Sequence, residues 1–300
     1  MSLLAYIIMW INVPLNAAGK FLLAPIALLP GWLSNTIIAA ITGVILLMVF
    51  KHTSNQKAIG RIKDAIKADM LTLKLFKDSF LVTLQAQGRL FKGAFLLLCY
   101  SVVPLLVMIV PVSLLLGQMG LWYQAMPLNL GEEAVVTMKL NEDKMKLTPD
   151  TEKQGPNIVE LDNQKLYWPQ VSIGPSAAAE VIVGPVRSFS TKEICWKIKA
   201  RENGYHHIVF HVDRQKIEKQ LAIGDGFMRV STQRPGWHWA DVLLNPAEKP
   251  FRPDSLVQSI SIDYPERHSW TSGTNWWLIY FFIASMVLAL FFKPFLKVKI

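Results

Sequence analysis

The sequence predicts an α-helical membrane protein with three transmembrane helices and a cytoplasmic helical hairpin. An all-β, immunoglobulin-like sandwich is expected between spans two and three. Three observations predict this. Residues 33–50, 94–116 and 276–292 contain no Asp, Glu, Lys, Arg or His. Each approaches the ~20 residues that carry a helix across a ~30 Å hydrocarbon layer. The positive charge is confined to two places: residues 51–93 hold nine Lys/Arg against three Asp/Glu, and residues 293–300 hold three Lys and no acid. Together they account for the whole formal net charge of +9. Finally, residues 117–275 change to short β-prone runs separated by Gly, Pro, Asn and Asp, the pattern of a sandwich.

The N-terminal segment, residues 1–32, divides into two apolar pieces, 3–13 and 21–32. Asn12, Pro14, Asn16 and Lys20 lie between them. Neither piece is long enough to span. The segment is therefore expected to form interfacial or re-entrant helices on the outer side, packed against the first spanning helix. A fourth span is the alternative. The first ten residues carry no Lys or Arg, so a cleaved secretory signal is not expected.

Residues 33–50 are the first span. Residues 51–93 are a basic amphipathic segment on the cytoplasmic side, because Lys and Arg beside membrane helices mark that face. Ile59, Ile62, Ile66, Leu73, Phe76, Phe80 and Leu84 recur at steps of three, four and seven, which makes one helical stripe. The segment is expected to fold back near 67–72 or to lie flat on anionic headgroups. Ile62, Ile66, Leu73 and Phe76 are its candidate contact face. Residues 94–116 are the second span, kinked at Pro104 and Pro111. Residues 276–292 are the third, and 293–300 form a cytoplasmic tail. This places the N-terminus in the periplasm, the C-terminus in the cytoplasm, and the chain in a bacterial inner membrane. Trp32, Trp122, Tyr123, Trp276 and Trp277 fall at the outer helix ends, where an aromatic belt is expected.

In residues 117–275, strands are predicted at 134–140, 181–183, 194–200, 205–212, 220–223, 227–231 and 259–264, with a turn-rich stretch over 141–157. In 205–212, Ile208, Phe210 and Val212 alternate with Val209 and His211, so Phe210 is assigned to the core. Gly204-Tyr205 is similar to a tyrosine corner. His207 and His211 lie ~13 Å apart on a strand, too far for one ion, so no metal is predicted. Arg234, Trp237 and Trp239 form a candidate periplasmic contact loop. Cys99 and Cys195, the only cysteines, fall in a span and in the outer domain, so no disulfide is expected, and Cys195 is expected to be a buried small apolar residue. No catalytic motif or cofactor signature is present, so neither an enzyme nor a cofactor is expected.

The order of outside N-terminus, one span, a basic helical segment and two further spans resembles the YidC-type insertase superfamily. That group includes the third subunit of the endoplasmic-reticulum membrane protein complex. The resemblance covers 33–116 and 276–300 at the level of topology. It implies that 51–93 is the cytoplasmic coiled-coil hairpin. It also implies that Asn35, Thr42, Tyr100 and Ser101 line an intramembrane groove for hydrophobic clients. This chain lacks the groove arginine of bacterial insertases and adds the β-domain. The expected partners are the lipid bilayer and a protein client or partner, with a homo-oligomer left open and nucleic acid not expected. Insertase-like or chaperone-like work is the first functional expectation. An envelope scaffold, receptor or secretion-complex subunit binding through the sandwich is the second.

Overall fold

A computed structural model of the chain describes residues 3–76, 79–145, 158–161, 164–296 and 298. Residues 146–157, most of the expected turn-rich stretch, lie outside them. The chain divides into two compact units. One comprises residues 1–34 and 114–277, the other residues 35–113 and 278–300. Three helices are long and apolar enough to cross a membrane: α2 (Gly31–Thr53), α4 (Phe80–Tyr123) and α7 (Trp277–Leu296).

In the first unit, α1 is continuous over Leu3–Leu22, with Pro14 inside it. A short 3₁₀ turn, Ala24–Leu28, follows. The expected break at Asn12–Lys20 does not occur. The reason is the spacing: Ala5, Asn12 and Gly19, seven residues apart, are its buried positions, so the polar residues occupy one face. The Asn12 amide donates to Val242 O at 2.9 Å, and α1 packs on the short helix α6 (Trp239–Leu244). It thus packs on the β-containing region. Leu3, Ile7, Trp10, Phe21 and Leu22 face outward.

Two antiparallel sheets form the rest of this unit. The larger has the order β5 (Ala179–Ser188), β6 (Glu193–Ala200), β1 (Glu133–Leu140), β10 (Val257–Ile262), β9 (Gln233–Arg234). The smaller is β4 (Val171–Ile173), β7 (Gly204–Val212), β8 (Gln215–Ile223). A separate hairpin joins β2 (Ile158–Leu161) to β3 (Gln164–Tyr167), and one further turn of helix, α5, covers Glu142–Met145. Period-two burial on β1, β6 and β7 points one face of each sheet into a shared core. There Val136, Met138, Trp196 and Ile198 meet Ile208, Phe210 and Leu221. The Trp196 and Phe210 rings lie 5.4 Å apart.

Two local expectations fail here. Residues 227–231 are not a strand, because they lie along the end of α4, with Val230 N bonded to Leu121 O at 2.7 Å. Tyr205 is not a buried corner residue. It is 61% exposed, and its hydroxyl accepts the Arg229 N–H at 3.0 Å.

In the second unit, α3 (Gln56–Leu75) starts at Asn55, whose side chain accepts the Ala58 N–H, a standard N-cap device. It runs past the expected turn at 67–72, since 70–75 holds no helix breaker, and ends at Phe76. Thr83 N bonds Ser79 O, and the Thr83 hydroxyl donates to Phe76 O at 3.1 Å. These bonds start α4, which is far longer than 94–116 because no proline interrupts 80–93 and 117–123 continue the helix. At ~1.5 Å per residue, its 44 residues span ~66 Å. The α3 helix lies back against the first half of α4. Gly93 lets Ile66 approach so closely that an added Cβ would sit 2.8 Å from it, and Asp69 pairs with Arg89 at 2.9 Å.

Candidate functional site

The polar residues of α2 lie on its inner face. Ser34, Asn35, Ala39, Thr42 and Gly43 are buried, whereas Trp32, Ile37, Ile41, Ile45 and Met48 are exposed. In the second unit this inner face meets α7. A Cβ added at Gly43 would lie 2.7 Å from Ser285 O and 3.5 Å from the Ala289 Cβ. Small residues thus let the two backbones touch. The Thr36 and Tyr280 hydroxyls bond at 2.7 Å. Asn35 and Thr42 are both buried on this inner face. The other two groove candidates sit on α4, where Tyr100 is 40% exposed and the Ser101 hydroxyl donates to Leu97 O of its own helix.

Along α4 the surface is apolar and largely uncovered: Phe95, Leu98, Val103, Leu106 and Val110 are all exposed. Within the second unit, Leu97 and Met108 of α4 pack against Phe50, Ile59 and Val298. On α3, Ile62, Ile66 and Leu73 are half-buried, but Phe76, beyond the helix end, is 53% exposed. Only the first three belong to the stripe that packs. Beside the turn, Met70, Leu71, Leu75, Phe80 and Leu81 add a further exposed apolar set.

In the first unit the end of α4 is held by aromatic packing. Trp122, Tyr123 and Trp277 are buried and serve as core, so the expected aromatic belt reduces to the exposed Trp32 and Trp276. Phe227 lies edge-on to Tyr123 at 5.8 Å, and the Arg267 guanidinium stacks 3.9 Å over the Phe227 ring. Asn16 ties α1 to this region. Its carbonyl oxygen accepts from Gln118 at 2.9 Å and from Arg229 at 2.7 Å, and its amide donates to Pro246 O. The sequence showed Asn12 and Asn16 only as interruptions, although the seven-residue step from Ala5 through Asn12 to Gly19 was visible.

The expected contact loop serves the fold in part. Arg234 donates to Glu218 O at 2.6 Å and Lys249 O at 3.1 Å and stacks 4.4 Å over Phe251. Burial holds its guanidinium below the ordinary arginine range. Trp237 is half-buried, whereas Trp239 is 44% exposed at the start of α6.

Near it lies a fully enclosed ion pair. Lys219 Nζ meets Glu248 at 2.7 Å and donates to Ser231 O at 2.6 Å. Glu248 also accepts from the Ser231 hydroxyl at 2.5 Å and from Gln220 N at 3.1 Å. The Ser231 hydroxyl thus donates to Glu248 while its oxygen also accepts from Lys219 Nζ at 3.2 Å. Among the described residues, no group of three or more His, Cys, Asp or Glu is placed to hold a metal. Both cysteines are free; Cys99 is exposed and Cys195 half-buried.

Comparison with protein-family models, with curated proteins and with solved structures returns no match.

Proposed function

We propose that the chain is a multi-pass inner-membrane protein that handles other membrane proteins in an insertase-like or chaperone-like, non-enzymatic way. One observation carries this reading: the helices are apolar on the outside. On α2 the exposed face is Ile, Met and Trp while Asn35, Thr42 and Gly43 are enclosed. In water this reverses the usual order, but in lipid it is the stable one. The placement of Lys and Arg then puts the α3–α4 hairpin in the cytoplasm, and the two-sheet region in the periplasm as an immunoglobulin-like sandwich.

The uncovered flank of α4, running outward from a basic hairpin, offers a membrane-spanning client an apolar surface at bilayer depth. This fits the core of the insertase superfamily without its groove arginine. A photo-crosslinking residue at Leu98 or Leu106 tests it in cells. Short-lived adducts with newly made membrane proteins are expected. The absence of such adducts at both positions overturns the reading.

A second reading has its own observation. β5 is an edge strand, and Val181, Ile182, Val183 and Val186 are exposed along it. Exposed apolar edges invite pairing with another chain. An envelope scaffold would bind its partner there. A crosslinker at Ile182 that captures one constant protein, with nothing captured from α4, would favour it.

A further inference from the structure

A cavity of about 370 Å³ lies within the first unit, between the end of α1, the end of α4 and strands β7 and β8. Lys20, Arg229, His206, His207, Trp122 and Ser231 are in its wall, and among the described residues no Asp or Glu is. Glu248, which accepts from the wall residue Ser231, is paired with Lys219. Arg229 is the unusual member. It is 8% exposed, yet the hydrogen-bond acceptors of its guanidinium are the neutral amides of Asn16 and Gln118. Burial holds it below the ordinary arginine range, with only Tyr205 acting against that. Three nitrogens of the wall residues are buried with no hydrogen-bond partner: Arg229 Nε, Trp122 Nε1 and His206 Nε2. A buried cation whose hydrogen-bond acceptors are neutral amides is costly unless something anionic completes the site.

We propose that this cavity binds the phosphate group of an anionic ligand. A buried guanidinium with a second cation, Lys20, in the same wall matches a group with several charged oxygens better than a carboxylate, whose two oxygens one guanidinium would satisfy. The same phosphate could come from a phospholipid headgroup or from a soluble phosphate. The setting favours the headgroup: Lys20 is flanked by Phe21 and Leu22, both strongly exposed on α1. The site lies wholly in the β-containing unit and does not rest on the client-handling reading, so the two can fail separately.

The test is calorimetric titration of the full chain in neutral detergent with dihexanoyl-phosphatidylglycerol, dihexanoyl-phosphatidylcholine and inorganic phosphate. Saturable binding of the phosphatidylglycerol and not the phosphatidylcholine is expected. K20E, at an exposed position, and R229Q should each weaken it by about tenfold or more, the worth of one charge-assisted bond. If R229Q does not fold, H206Q joins K20E in its place, with a smaller loss expected. Phosphate binding as tightly as phosphatidylglycerol supports the site and assigns it a soluble ligand. Tighter phosphatidylglycerol binding assigns it the headgroup. Failure of both probes, equal binding of the zwitterionic lipid, or variants that titrate like the wild type overturns the proposal.

Discussion

The Tyr123 hydroxyl lies 2.6 Å from the Ser34 Oγ, with both side chains buried. Tyr123 closes α4 and Ser34 lies in the first turns of α2. The Tyr123 ring also stacks on Trp277 at the start of α7, 5.9 Å between centroids. One phenol thus touches all three apolar helices. Tyr123→Phe should cost about 1 kcal/mol, since Ser34 keeps its bond to Gly31 O. Tyr123→Ala removes the ring as well and should cost about 3–5 kcal/mol. Denaturant midpoints of the full chain in detergent compare the two.

The Lys219–Glu248 pair gives a second test. Glu248→Gln leaves an ammonium enclosed without its counter-ion and should cost about 3–5 kcal/mol, whereas the double change K219M/E248L should recover most of that loss. Burial outweighs the attraction of Glu248 and lowers the Lys219 pKa from 10.5. Between that lowered value and 10.5 the unfolded chain binds more protons. This group's contribution to stability therefore rises with pH across that window and is lost as pH falls back through the folded value. The pH slope of wild type minus Lys219→Met isolates it; a slope of opposite sign would contradict the direction.

The hairpin makes a contrast between two residues of one sequence stripe. Ile66→Asp places a charge against Gly93 and should cost several kcal/mol. Phe76→Asp lies at an exposed helix end and should be within about 0.5 kcal/mol of wild type. Tryptic cleavage within 57–92 reads the difference, with only the Ile66 variant expected to open.

Phe210 is fully buried against Trp196. Phe210→Ala should therefore cost about 3–5 kcal/mol, through lost burial and the cavity left behind. The neighbouring His211 is half-buried on the other face, and His211→Ala should cost about 1 kcal/mol or less. Melting of the two variants checks the strand register, which a larger loss at His211 would contradict.

Membrane orientation is testable with single cysteines at Lys67 and Glu202, both exposed, in a chain whose Cys99 and Cys195 are replaced by Ser. An impermeant maleimide applied to intact cells should label position 202 and spare 67. Labelling of both would remove the orientation.

The three apolar helices were legible from sequence because hydrocarbon-length runs free of charge are a local property that tertiary packing does not alter. The faces of β1, β6 and β7 were legible for a related reason: with a period of two, Phe210 and His211 must point to opposite sides. The sequence by itself therefore determined the three apolar helices and which face each residue of a single strand takes. It did not determine what a polar residue in an apolar run is for. Asn12 and Asn16 looked like a break until their partners, Val242 and Arg229, which lie far along the chain, came into place. Asn35 and Thr42 read as polar positions in an apolar run, and only the packed structure shows that both are buried. Trp122 and Tyr123 looked like membrane anchors until Phe227 and Trp277 covered the tyrosine. Such assignments depend on which distant group satisfies a donor or fills a contact, and that long-range pairing is decided only by the tertiary structure.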